Sequence, residues 1–229
     1  MDEDRTGTPG TDAHADLPAR VGAAAAMNRL SHALVSHRAS PAVLRRIAVA
    51  ADELAQDIER EPRRSRSGEI SESPRFVQAI LEARPLGDVV EDGAFIDMFS
   101  DSPVSGSANP LAMGLKIRRE ADEAVGIVTL RPGWEGAPGR GHGGVVAACV
   151  DETIGGLLPL IGEMAFTGEL SLRYEAPCPV GQPLEFRARL DRRDGRKLSI
   201  NCVGTAQGAV FVRATSLFIT VDLDRFHQY

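Results

Sequence analysis

This 229-residue chain has little cysteine and few large aromatics: three Cys, one Trp and two Tyr. Cys149, Cys178 and Cys202 have no metal-ligand spacing and no even count for a disulfide framework, so a reduced protein without a metal centre is expected. Lysine is nearly missing, since Lys116 and Lys197 are the only two among 26 basic residues. An excess of positive charge is missing too. The net charge of −6 gives no reason to expect a nucleic-acid partner. The opening MDEDRTGTPG is acidic and polar, where a secretory leader would be basic and then apolar. No run is read as reaching the roughly 18–20 apolar residues of a membrane span. A cytoplasmic protein that does not engage a membrane is the expectation.

What is present divides along the chain. Residues 1–16 are rich in Gly, Asp, Thr and Pro without periodicity, the composition of a disordered tail. Residues 17–60 carry two helical patterns. In the first, Val21, Ala24, Ala25, Leu30 and Leu34 recur at helical spacing. The second opens with Ser40-Pro41, a cap followed by proline, and carries Leu44, Ile47, Ala51, Leu54 and Ile58. Their apolar stripes predict that these helices pack on the core or on each other. Residues 61–75, with Pro62, Pro74 and many Arg and Ser, read as a linker. The rest, 76–229, forms one domain. It begins with a poorly patterned region to residue 112, followed by a hairpin from Met113–Arg119 and Ala124–Arg131. An apolar segment, Val145–Ile161, is long enough for a helix and apolar on nearly every face.

Period-2 strands follow this segment. Leu170, Leu172 and Tyr174 alternate with Glu169, Ser171 and Arg173; Leu184, Phe186, Ala188 and Leu190 alternate with Glu185, Arg187 and Arg189. Asp194-Gly195 and Gln207-Gly208 mark turns before the last two strands. One buried helix followed by about four antiparallel strands predicts an α+β domain in which a curled sheet wraps the helix. Pairing with a second copy would protect the edge of that sheet.

Gly139-Arg-Gly-His-Gly-Gly144 spells G-x-G-x-x-G ahead of the helix. The dinucleotide reading fails on context, because the glycines follow a loop and no strand–helix alternation surrounds them. Two readings stay open. Bare N–H groups at the positive helix end could hold a phosphate or polarise a carbonyl, or the glycines could simply permit close packing. Asp151-Glu152 place carboxylates in the middle of the apolar helix. They are either a general base or nucleophile in a cleft, or groups reaching solvent or capping a neighbour. Asp151 lies nine residues after His142, about 13 Å along the axis at ~1.5 Å per residue. One helix therefore cannot present both its N-terminus and Asp151 to one carbonyl, but two helices antiparallel across a two-fold can.

The segment His142-Gly-Gly-Val-Val-Ala-Ala-Cys-Val-Asp151-Glu-Thr-Ile-Gly155 resembles the helix signature of hotdog thioesterases of the PaaI-like kind. The likeness to thioesterase-superfamily-member acyl-CoA thioesterases extends through Thr167–Tyr174, Pro177-Cys-Pro179, Gly195-Arg-Lys197 and Ala214–Ile219, over about residues 100–221. The resemblance implies a hotdog fold and hydrolysis of acyl-CoA to a free acid and coenzyme A, a reaction of fatty acid metabolism. It implies no cofactor or metal, and a homodimer or dimer of dimers. It places the catalytic aspartate on Asp151, the polarising N–H on Gly143 and a water-positioning threonine on Thr167. Glu152 is the backup carboxylate. Substrate-side candidates are His142, Gly144, Trp134 (acyl wall or loop anchor), and Arg196 and Lys197 (a seat for coenzyme A phosphates or a solvated hairpin). Rival readings are a hotdog hydratase or dehydratase and a non-catalytic acyl-CoA binder or sensor. Cys149 reads as core.

Overall fold

The computed structural model describes residues 16–64, 90–96 and 99–221. The tail through residue 15 and most of the predicted linker lie outside the described residues. Two helices come first, α1 (Leu17–Ser36) and α2 (Pro41–Glu59). The side chain of Ser40 caps α2 by accepting from the Val43 N–H. Strands β1 (Phe95–Ile96), β2 (Lys116–Glu120) and β3 (Glu123–Thr129) precede a short 3-10 turn at Pro132–Trp134. The long helix α3 (Gly143–Leu160) leads to β4 (Ala165–Tyr174), β5 (Pro183–Asp194), β6 (Lys197–Ala206) and β7 (Ala209–Thr220).

The seven strands form one sheet in the order β1-β2-β3-β5-β6-β7-β4, and every neighbouring pair is antiparallel. Period-2 alternation sets which face each side chain takes. Leu184, Phe186 and Ala188 of β5 are buried, as are Leu198, Ile200 and Cys202 of β6. These residues meet Val146, Cys149, Val150, Ile154 and Leu157 of α3 in a single core. The opposite face is charged, with Arg187 paired to Glu120, Glu123 and Glu185. One long helix lying against an antiparallel sheet is the hotdog arrangement that the sequence implied.

Glycines let the layers touch. A Cβ on Gly126 of β3 would stand 2.3 Å from Thr153 Oγ1 on α3, and one on Gly156 would stand 2.9 Å from Ile117. Thr153, fully buried, donates its hydroxyl to the Cys149 carbonyl at 2.7 Å, so burial strands no polar group. At the β6–β7 turn Gln207 and Gly208 both have positive φ, at 50° and 80°, the pair of values a two-residue hairpin demands.

The structure departs from the sequence reading in four places. β1 falls in the region read as unpatterned, where two residues are too few to show a period. The β5–β6 turn residues are Gly195 and Arg196, one position later than read. By length and composition α3 could cross a membrane, contrary to the expectation that no run would. Its apolar side chains are instead buried against the sheet, in a helix that also carries Asp151 and Glu152. Finally, α2 buries none of its residues: Val43, Leu44, Val49, Leu54 and Ile58 are all exposed, so its stripe packs on nothing in this chain's core.

Candidate active site

The first turn of α3 has four N–H groups without intrahelical partners. His142 occupies the cap position in extended conformation. Its Nδ1 accepts from the Gly144 N–H at 3.0 Å, and its carbonyl accepts from Val145 and Val146 at 2.9 and 3.1 Å. That leaves Gly143, whose N–H has no partner among the described residues. It stands alone at the positive end of an 18-residue helix. The glycines of this segment differ in their surroundings. A Cβ at Gly136 or Gly141 would lie 2.9 Å from His142 Cα or 2.7 Å from a Leu130 methyl, so these two permit close packing. At Gly143 the nearest atom would be the Tyr174 hydroxyl at 3.4 Å, an ordinary contact, so packing does not demand glycine there.

Asp151 sits half-buried in the middle of α3 and accepts from Thr167 Oγ1 at 3.1 Å. Burial pushes its carboxyl above the ordinary carboxylate range. The Thr167 hydrogen bond opposes that rise and the neighbouring Glu152 charge adds to it. Strict alternation would have put Thr167 on the face of Glu169 and Arg173, away from the helix. The register of β4 against β7 slips between Thr167 and Glu169, so Gly168 is the extra residue of a β-bulge. The bulge turns Thr167 to the face of Leu170, Leu172 and Tyr174. One strand thereby reaches α3 twice, because the Tyr174 hydroxyl donates to the Gly143 carbonyl at 2.7 Å. Tyr174 was missed as a site residue. Its position on the inward phase of β4 was legible, but its hydrogen bond to a helix 31 residues away was not.

The other candidates fall elsewhere. Glu152 accepts from both Ser102 Oγ and Ser105 Oγ, so it ties the 99–112 loop to α3 and is not free as a backup base. Gly144, expected on the substrate side, has its N–H taken by His142, and His142 is thereby a cap. Trp134 packs edge-on against His32 of α1, with ring centroids 5.7 Å apart, which anchors its loop. Arg196 ties the β5–β6 turn to the end of β7 by donating from Nε and Nη2 to the Thr220 carbonyl. Lys197 pairs with Ile219 one rung from Leu198 and Phe218, and so points to the face opposite the core. Burial holds the Cys149 thiol up at about 12, which leaves it inert as a nucleophile. No group of three or more His, Cys, Asp or Glu converges as a metal site among the described residues.

The bare N–H at the helix start and the desolvated aspartate two turns on lie on one helix of this hotdog domain. Residues 139–210 match the sequence model of the family described as Thioesterase superfamily, which bears out the resemblance read above. The human acyl-coenzyme A thioesterase THEM5 is 33% identical over 102 residues, 43% of this chain and 41% of that protein. Its mouse counterpart is 29% identical over 110 residues, 46% of this chain and 44% of that protein. The chain spans less than half the length of these curated relatives. A solved thioesterase superfamily protein superposes with a TM-score of 0.69 at 26% identity, covering 87% of this chain and 90% of its own. That superposition bears out the hotdog fold.

Proposed function

We propose that this chain hydrolyses acyl-CoA thioesters to a carboxylic acid and coenzyme A, acting as a homodimer. The observation that carries the reading is the pairing of a carboxylate held by Thr167 with a helix N-terminus that leaves one N–H bare. In a thioester the carbonyl oxygen gains negative charge as the tetrahedral intermediate forms. A preorganised N–H aimed at it, at the positive end of a helix, stabilises that charge. Asp151 either takes a proton from a water that Thr167 helps to place, and that water attacks the carbonyl, or attacks the carbonyl itself to give a mixed anhydride that water then hydrolyses. The thiolate of coenzyme A is the leaving group. The relatives' name as acyl-coenzyme A thioesterases supports this substrate class.

Gly143 and Asp151 are eight residues apart on one helix, about 12 Å along its axis. Each site therefore combines Gly143 of one subunit with Asp151 of the other. Among the described residues β4 lies at the end of the sheet order and is ten residues long, an edge suited to pairing with a second copy. A hydratase would need a histidine free to work with a carboxylate at carbon, whereas His142 Nδ1 holds the Gly144 N–H.

The test is release of free thiol from acyl-CoAs of graded chain length, including aromatic acyl groups, by wild type and Asp151→Asn. Hydrolysis by wild type that drops at least about a hundredfold in a folded variant is the expected result, on the scale of a lost general base or nucleophile. Saturable binding of acyl-CoA without thiol release by wild type would replace this reading with a non-catalytic binder.

A further inference from the structure

α1 meets the hotdog domain at two places: the loop that holds Glu152 and the turn that precedes α3. Ala24, Asn28 and His32 follow one another at a spacing of four, so they lie in line on one face. Asn28 Nδ2 donates to the carbonyls of Pro110 and Ala112 at 2.9 and 3.0 Å. This is the end of the loop whose Ser102 and Ser105 hold Glu152. One turn further on, His32 is buried and its Nδ1 accepts from the Gly133 N–H at 3.0 Å, while its ring stands edge-on to Trp134. The Trp134 carbonyl in turn accepts the N–H of His142 at 2.9 Å. The path from His32 to the cap of α3 is therefore two hydrogen bonds and one ring contact.

The fit is reciprocal. A Cβ on Gly133 would stand 2.5 Å from His32 Nδ1, so the imidazole reaches this N–H because residue 133 has no side chain. Accepting at Nδ1 requires the imidazole to be neutral, with its proton on Nε2. Burial, and next the charge of Arg131, both hold the ring in that form.

We infer that α1 is a positioning element of the active site and that His32 is its positioning residue. His32 fixes the Pro132–Trp134 turn, the turn fixes His142, and His142 engages the Gly144 N–H while leaving that of Gly143 free. This inference rests on the reading of Gly143 as the carbonyl-polarising group. Misplacing that N–H by a fraction of an ångström weakens the transition state more than the ground-state complex.

The experiment compares full-length wild type with His32→Ala, Gly133→Ala and His32→Asn, whose Oδ1 can take the place of Nδ1. Steady-state thioester hydrolysis is measured beside hydrogen–deuterium exchange over residues 133–146. In His32→Ala and Gly133→Ala, kcat is expected to fall about tenfold with KM within about twofold, the pattern of an interaction that counts in the transition state. Exchange over 133–146 is expected to quicken in both, and His32→Asn to restore most of each. The control is Leu184→Ala, a core truncation in β5, chosen to lower the melting temperature at least as far. A kcat fall in the control equal to that in His32→Ala, or wild-type kcat and exchange in His32→Ala, overturns the inference. If wild type releases no thiol, the functional reading has failed. Faster exchange over 133–146, restored by His32→Asn, would then still support the link from α1 to the α3 cap, and unchanged exchange would overturn it.

Discussion

At Asp151 the burial that suits the proposed reaction weakens the fold. Its carboxyl titrates above 3.8, the ordinary value, because desolvation outweighs the Thr167 hydrogen bond. In the proposed mechanism the reactive form is the carboxylate, so the acid limb of kcat/KM should lie above the ordinary carboxylate range, which a pH–rate profile of the free enzyme reads directly. The consequence for stability has the opposite sense. Between 3.8 and its raised value the folded state binds more protons than the unfolded one, so stability is lost as pH rises through that window. Asp151→Asn removes the charge, retains an acceptor for Thr167, and should melt higher than wild type at pH 7. The two should melt alike near pH 3, and thermal melts at both values check the sign. Tyr174→Phe is a milder change. It removes one hydrogen bond to the Gly143 carbonyl and should cost about 1 kcal/mol of transition-state stabilisation, roughly fivefold in kcat/KM.

Between elements, the closest approach of β3 to α3 is set by Gly126. Gly126→Ala would drive a methyl into Thr153 Oγ1 and should destabilise by about 1–3 kcal/mol in denaturant unfolding, with Thr153→Ala recovering part of the loss. This is also the scale at which the sequence can be judged as a guide. Alternation in β5 and β6 and the all-round apolarity of α3 were legible, because burial on a regular lattice imposes a period. Asp151 and Thr167 were legible through resemblance, and a purely periodic reading would have turned Thr167 the wrong way. The Gly168 bulge breaks the period, and a glycine inside a strand does not announce which way it shifts the phase. The Ser102 and Ser105 bonds to Glu152 span about fifty residues, and His32 to Gly133 spans 101. Local sequence carries no trace of such partners. The α2 stripe was equally legible, yet periodicity gives a helix its apolar face and not the surface that covers it.

For the whole molecule, the proposed split of each site between subunits gives a test no single subunit can mimic. Asp151→Asn retains Gly143, and Gly143→Pro retains Asp151 while removing the N–H at a helix position that tolerates proline. Each homodimer should be inactive. After unfolding and refolding together, half the dimers would be mixed, and each would hold one intact site of two. Activity should return to about a quarter of wild type. No return beyond the sum of the separate variants would place both groups in one subunit.

The Gly168 bulge has a further consequence for that dimer. It divides β4 into a stretch ending at Thr167 and one beginning at Glu169, with different phases. A neighbouring strand in step with one stretch falls out of step on crossing into the other. The seam between two copies would thus have a natural stop, and the stop works as a ruler. In the proposed dimer it would set how far one β4 slides along the other, and so the offset at which Gly143 of one helix comes to face Asp151 of its counterpart.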